Sequence, residues 1–328
     1  MTGTPGGNQS RYELIFNCLD AVSHFSSTAH QTIPALQELR ELLSAIPTPA
    51  AAAGANDGPP ATPSDALALA TIASSGLSLG GEPSVSTNLE TETAGRLGAI
   101  LASLVDQLGA VTRWERAGLV RGLYVIIDPE VTGGREPLEI ARAAVRGGAR
   151  MLQLRDKLTD KGESLPLAMA LQRLCEENSA SLIINDHADV AAAVGSAGLH
   201  VGQTDLPVMV ARKVLGHQQV LGRSNHEIEE LIESEEMGAD HVAFGPIYHT
   251  GTKDVGHDPQ GNERLLLARE TANTPLVAIG GINAENAAGV IEAGADAICV
   301  AASVGLAPEP EAVAARLVKV IEEAGGRT

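Results

Sequence analysis

Residues 151–186 read MLQLRDKLTDKGESLPLAMALQRLCEENSASLIIND. A short apolar run, Met151–Leu154, gives way to a polar turn, then to a helical pattern over Leu165–Glu177, then to a second apolar run, Leu182–Ile184. Runs that are apolar almost throughout suit strands buried on both faces, and a helix between two of them suits a parallel β-α-β unit. The rhythm extends both ways. Upstream lie Leu123–Ile127 and a helical pattern at Pro137–Arg146. Downstream come the runs Gly198–Val201, Val220–Gly222, His241–Phe244, Leu276–Ile279 and Ala297–Val300. Helical patterns fall between and after them, at Ala188–Val194, Pro207–Leu215, Glu227–Glu235, Asn262–Thr271, Ala284–Glu292 and Pro310–Glu323. Eight such units predict an α/β fold, a (β/α)8 TIM barrel over residues 118–328. RGGAR, EMGAD and EAGAD place a glycine where a helix ends before the next strand, as a left-handed C-cap requires.

Before Gly118 the pattern differs. Arg11–Ile46 and Thr91–Arg116 carry helical stripes, with Pro34 dividing the first stretch into two helices. Residues 1–10 are polar and glycine-rich and read as unstructured. Residues 47–86 are rich in Ala, Pro, Gly and Ser and read as a flexible linker, with a short helix near Asp65–Ser74. Residues 1–117 are therefore expected to form a helical extension. Its helices suit packing on the barrel, homo-oligomer formation or docking of a partner, and the sequence does not choose among these.

The chain has 328 residues, 44% of them hydrophobic, enough for a large core, yet only 2% are aromatic, so that core must be aliphatic. A formal net charge of −18 argues against nucleic-acid or anionic-membrane binding. Cys18, Cys175 and Cys299 are widely separated and read as unpaired thiols in a reducing compartment. The N-terminus lacks the charged and apolar regions of a secretory signal. No apolar run reaches the roughly 20 residues of a membrane span. A cytoplasmic protein is expected.

In such a barrel the active site forms where the strands end. Strand two delivers Gln153, Arg155 and Lys157, spaced by two, so an extended chain turns them to one side. Strand three ends in Asn185–Asp186 and strand four in HVGQTD, with Asp205. Asp186 and Asp205 suit Mg2+, which takes one or two carboxylates plus waters and phosphate oxygens; capping of the following helices is the alternative for each. Strand five leads to Ser224 and His226, where Ser224 suits an anion contact or a helix cap. After strand six, GPIYHTGTKDVG (245–256) supplies Thr250, Thr252 and Lys253. After strands seven and eight come Gly280–Gly281 and Val300–Ala301–Ala302–Ser303, where small residues leave backbone N–H groups accessible to a phosphate. Two anion sites result. Arg155, Lys157, Ser224, Lys253 and the two aspartates suit a pyrophosphate with Mg2+. Thr250, Thr252, Gly281 and the strand-eight backbone suit a monophosphate. Together they point to a transferase that releases pyrophosphate.

The set QLRDK, IINDH, HVGQTD, GRSNH, HTGTK and IGGI, in this order at the strand ends, resembles thiamine-phosphate synthase over about residues 118–325. The resemblance implies condensation of hydroxymethylpyrimidine diphosphate with hydroxyethylthiazole phosphate, giving thiamine phosphate and pyrophosphate with Mg2+ as cofactor. It implies Gln153, Arg155, Lys157, Asn185, Ser224 and Lys253 on the pyrimidine diphosphate, with Lys157 and Lys253 as candidate catalytic groups. Asp186 and Asp205 would hold the metal. Thr250, Thr252, Gly281, Ala301 and Ala302 would hold the thiazole phosphate. It further implies a dissociative reaction in which pyrophosphate leaves before the thiazole nitrogen attacks. The chain departs from the family in having Ala302 where a serine is common, and in the polar DVGHDPQG after Lys253. Two rival readings are a thiazole tautomerase using a histidine such as His226, and a ligand-sensing regulatory barrel with a partner-binding helical module.

Overall fold

The computed structural model describes residues 5–26, 32–46, 59–79, 89–250 and 258–328. The chain divides into two compact units, Met1–Arg113 and Trp114–Thr328.

The first unit is helical. Helix α1 spans Pro5–Ser23, α2 Pro34–Ala45, α3 Pro63–Ser78, and α4 runs from Thr91 to Ala117, past the unit's end. Pro34 divides α1 from α2 as expected, standing in the first turn of α2 where its missing N–H costs nothing. Two expectations need correcting. The first helix begins at Pro5, within the stretch read as unstructured. The expected linker contains a full helix, α3, longer than the short one anticipated. Thr62 and Asp65 form a reciprocal capping box at its start, with Asp65 N donating to Thr62 Oγ1 at 3.1 Å and Thr62 N to Asp65 Oδ2 at 3.2 Å. Ala66, Ala70, Ala73 and Leu77 bury one face, so alanines that read as low complexity are packing residues. Residues 47–58 and 80–86 of the expected linker lie outside the described residues. Ile15, Phe16 and Leu19 of α1, Leu39 of α2 and Leu97, Leu101, Leu104 and Leu108 of α4 share one core. Helix α4 is long and apolar enough to cross a membrane, but half of its apolar stretch is buried within the protein.

The second unit is a closed barrel of eight parallel strands in sequence order. They are β1 Gly122–Ile127, β2 Met151–Leu154, β3 Ser181–Asn185, β4 Gly198–Val201, β5 Val220–Asn225, β6 His241–Phe244, β7 Leu276–Ile279 and β8 Ala297–Val300. Helices α5 (Pro137–Arg146), α6 (Lys161–Glu177), α7 (Ala188–Val194), α8 (Val208–Ala211), α9 (Ile228–Glu236), α10 (Gly261–Thr271), α11 (Ala287–Glu292), α12 (Ala302–Gly305) and α13 (Pro310–Glu323) follow in turn. The outward strand residues, such as Leu123, Val125, Leu152 and Ile184, join helix residues such as Ile140, Leu171, Leu231 and Leu317 in the main core. A second, inner cluster fills the barrel with Tyr124, Ile126, Met151, Ile183, Val220, Ala243, Val277 and Cys299.

Strand β5 is longer than its sequence suggested. Gly222, Arg223, Ser224 and Asn225 all pair with β6. The polar run reads as a loop, but the side chains of Arg223, Ser224 and Asn225 each find a partner, so the ladder continues. Helix α8 is correspondingly shorter than expected, and α12 was not anticipated.

Burial shapes the titration of the interior. The three thiols are unpaired and buried. Burial pushes Cys175 up to about 12 and Cys299 higher, keeping both protonated and unreactive. His241 is fully buried, neither ring nitrogen has a hydrogen-bond partner, and burial holds its pKa down at about 4 against 6.5 for an ordinary histidine. The sign follows from linkage. Above pH 6.5 the ring is neutral in both folded and unfolded chains, and it imposes no penalty. Below that value the unfolded chain gains a proton that the barrel refuses. Stability should therefore fall as pH drops from 6.5 to 4, by up to about 3 kcal/mol from this group. Urea midpoints across that range should drop less steeply for His241→Leu than for the natural chain; parallel curves would discount the effect.

Candidate functional site

The carboxyl ends of the strands surround a cavity of about 170 Å3 lined by residues from all eight strands or their loops. Eight residues assigned to substrate contacts in the sequence line it: Gln153, Arg155, Asn185, Ser224, Thr250, Gly281, Ala301 and Ala302; His226 lines it as well. Beside it a second pocket collects Lys157, Asp186 and Asp205 together with Lys161, His187 and Asp189. Thr252 and Lys253 lie outside the described residues.

Strand β2 sends its polar side chains to different depths. Gln153 is inside the barrel, 3% exposed, and donates to the Tyr124 hydroxyl at 2.7 Å. Arg155, the first residue past the strand, pairs with Asp128. Lys157, two residues further, has left the strand's alternation and pairs with Asp186 in the adjoining pocket. The shared direction expected from spacing thus holds for Gln153 and Arg155, where the chain is still extended.

Asp186 follows β3 with φ at +60°, a left-handed conformation that aspartate tolerates better than most residues. Its N–H donates to His200 O at 2.8 Å, which ties the turn to β4. Burial raises the Asp186 pKa first of all; Lys157 opposes this, and the adjacent Asp205 carboxyl, within hydrogen-bonding reach, adds to it. Two carboxyl groups in contact call for a shared proton or a shared cation. Helix capping does not account for either residue. The N-cap positions belong to His187 for α7 and Pro207 for α8, both without a side-chain cap, and Asp205 accepts from Gly202 N at 2.7 Å, behind it in sequence. Among the described residues no group of three or more His, Cys, Asp or Glu side chains is placed to hold a metal. A pair of carboxylates is nevertheless the usual protein share of a Mg2+ site, whose remaining ligands are waters and phosphate oxygens.

Ser224 lies within β5, so it does not cap α9; Glu227 does that in a box with Glu230. Its hydroxyl is 2.9 Å from His200 Nε2. A buried network holds this corner. Gln203 donates to Ser224 O at 2.7 Å and accepts from Arg223 Nη2 at 2.6 Å, while Asn225 accepts from Ser234 Oγ at 2.5 Å. The network links the loop that carries Asp205 to the strand that carries Ser224. His226 Nδ1 lies 2.6 Å from Gly245 O, so the backbone orients this ring.

Gly280 and Gly281 are required by packing before any ligand is considered. Both have positive φ, and a Cβ on Gly281 would stand 2.4 Å from His249 O. Ile247 N donates to Ile279 O and Tyr248 N to Gly280 O, so the first half of the β6 loop lies directly on the β7 turn. Thr250 thereby reaches the cavity beside Gly281, Ala301 and Ala302. Ser303 Oγ donates to Ile282 O, fastening the β8 turn to that of β7.

Sequence reasoning passed over the end of β1. Asp128 and Tyr124 both line the main cavity, Asp128 with its side chain 5% exposed. The signal was an acidic residue directly after the apolar run GLYVII, but Asp128–Pro129 also reads as an ordinary turn.

Residues 123–304 match the family described as thiamine monophosphate synthase. A thiamine-phosphate synthase of Moorella thermoacetica is 43% identical over 205 residues, which cover 62% of this chain and 98% of that protein. One of Natronomonas pharaonis is 38% identical over 205 residues, 61% of this chain and 95% of that protein. A solved structure, the thiamine phosphate pyrophosphorylase of Pyrococcus furiosus, is 33% identical with a TM-score of 0.59; the match covers 65% of this chain and all of that one.

Proposed function

The chain belongs to the thiamine monophosphate synthase family and is a transferase that forms thiamine phosphate, and we propose that it does so at the two adjoining pockets of the barrel mouth with Mg2+ as cofactor. The observation that carries the metal reading is the state of the cations. Among the described residues, Arg155 is matched by Asp128 and Lys157 by Asp186, while Asp205 touches Asp186. These groups bring no net positive charge to a diphosphate. A divalent cation on Asp186 and Asp205 would supply it, and would also relieve the contact between the two carboxyl groups. When bound, Mg2+ supplies the positive charge that stabilises the departing pyrophosphate.

The protein's own groups then have separable tasks. Gln153, fixed by Tyr124, and Arg155 orient the pyrimidine diphosphate in the main cavity. Lys157 contacts its phosphates from the second pocket and Asn185 and Ser224 from the main cavity, with Ser224 oriented by His200. We assign Lys253 to the same leaving group. Thr250, Thr252, Gly281 and the backbone at Ala301–Ala302 hold the thiazole phosphate, so the Ala302 departure leaves a main-chain contact intact. Pyrophosphate leaves first, and the thiazole nitrogen attacks the pyrimidine carbon thus exposed. No strong base is needed; the chemistry rests on proximity and electrostatics.

His226 is oriented by a backbone carbonyl, and the synthase relatives leave the tautomerase reading without support. The Moorella thermoacetica relative is matched over 98% of its length by 205 residues of this chain, so the helical unit adds to a barrel that corresponds to nearly the whole of that protein. We place the protein in the cytoplasm, which suits its three unpaired thiols. The test is steady-state turnover with both phosphorylated substrates. Release of pyrophosphate together with thiamine phosphate is expected, abolished by EDTA and restored by Mg2+. Folded protein that releases none would refute the activity, and turnover indifferent to EDTA would refute the metal.

A further inference from the structure

We propose that Asp128 is a positioning residue, holding one edge of the Arg155 guanidinium so that the other edge faces the diphosphate. The inference rests on the synthase reading above. Asp128 is the first residue after β1, with its carboxylate almost wholly buried. A carboxylate so placed needs partners. One oxygen accepts from Glu130 N at 2.9 Å, which shapes the turn; the other accepts from Arg155 Nη1 at 2.5 Å. Both residues line the main cavity. Their backbones are fixed as well, since Arg155 N donates to Ile127 O at 3.0 Å and continues the β1–β2 ladder by one step.

The guanidinium is a rigid fork with five donors. Asp128 takes the Nη1 side and thereby sets the plane and direction of the whole group. A flexible arginine at the mouth would lose conformational freedom on binding substrate; one already clamped has lost it.

The clamp is itself braced from the opposite side of the barrel closure. Val131 N donates to Asp128 O at 2.9 Å, and Arg135 donates to Thr132 O at 3.0 Å and to Gly305 O at 2.8 Å. Gly305, in α12 after β8, admits Val131 O to within 2.2 Å of where a Cβ would stand. The turn that carries Asp128 is therefore seated on the element that follows the Ala301–Ala302 turn.

The test compares Asp128→Asn with the natural chain in full-length protein. The KM for the pyrimidine diphosphate should rise about tenfold, as expected when an orienting partner is lost, while the KM for the thiazole phosphate stays within about twofold. Binding of inorganic pyrophosphate with Mg2+, followed by calorimetry, should weaken by a similar factor. In an Arg155→Lys background, which has no fork to orient, Asp128→Asn should add less than about twofold. Asp128→Glu, which keeps the charge but displaces it, should also raise the pyrimidine KM and covers the case in which the asparagine variant fails to fold. Equal shifts in both KM values, additive effects with Arg155→Lys, or an unchanged pyrimidine KM would overturn the inference. A natural chain without turnover sinks the synthase reading; a natural chain that turns over, with variants that keep its KM, sinks only this one.

Discussion

Asp205→Ala is expected to lower kcat/KM by about 10²–10³-fold while leaving the melting temperature nearly unchanged. The size follows from weakening the hold on Mg2+, whose positive charge would act on the departing pyrophosphate; losing one such preorganised charge costs about 3–4 kcal/mol in the transition state. The small effect on stability follows from two opposing changes. The variant loses the hydrogen bond from Gly202 N, about 1 kcal/mol, and loses the unfavourable contact with Asp186. Asp205→Asn separates these roles: it can still accept from Gly202 N but brings no charge. It should be as impaired as the alanine variant and melt like the natural chain. Kinetics as a function of Mg2+ concentration, beside melting curves, provides the check. Natural turnover in both variants would confine Asp205 to shaping its loop.

The second large effect concerns folding. Gly222 sits on β5 between His200 of β4 and His241 of β6, in register with both. A Cβ there would stand 2.0 Å from His241 Nε2 and 2.7 Å from His200 Nδ1. Both rings are buried, and neither is the free end of a flexible chain. Gly222→Ala should therefore cost at least about 3 kcal/mol, the upper range of overpacking, or prevent soluble expression. Adding His241→Ala should recover part of the loss by removing the closer ring. Thermal melts of the single and double variants decide the matter. A Gly222→Ala variant that melts like the natural chain would mean that the histidines shift aside at little cost.

These two residues also show how much could be read from the chain alone. Asp205 was visible because it and Asp186 follow adjacent strands, and two carboxylates so placed suit a shared hard cation. What the sequence left open was the choice between capping and metal binding. That choice depends on where the carboxylate points, and it points to Gly202 N and Asp186. Gly222 was legible only as a residue in a strand. Its constraint comes from two histidines some 20 residues away on either side, and only barrel closure brings all three into one layer. Asp128 was passed over for a related reason: its partner Arg155 directly follows the neighbouring strand, and the pair exists only once β1 and β2 align. The alanine-rich stretch around residues 63–78 was underrated because alanine contributes little to an apolar stripe, although it suits close helix packing.

The sequence by itself determined the barrel and many of the groups described at its mouth. Strand and helix periodicities are local, eight repeats leave few closed arrangements, and the rule that sites form at strand ends turns a linear list into a ring. Tertiary structure alone decided which cation meets which carboxylate, how deep Gln153 lies, why Gly280 and Gly281 are glycines, and that β5 continues through GRSN. Each of these is a contact between segments far apart in the chain, set by register and closure, and no local pattern encodes the distance between two side chains on different strands.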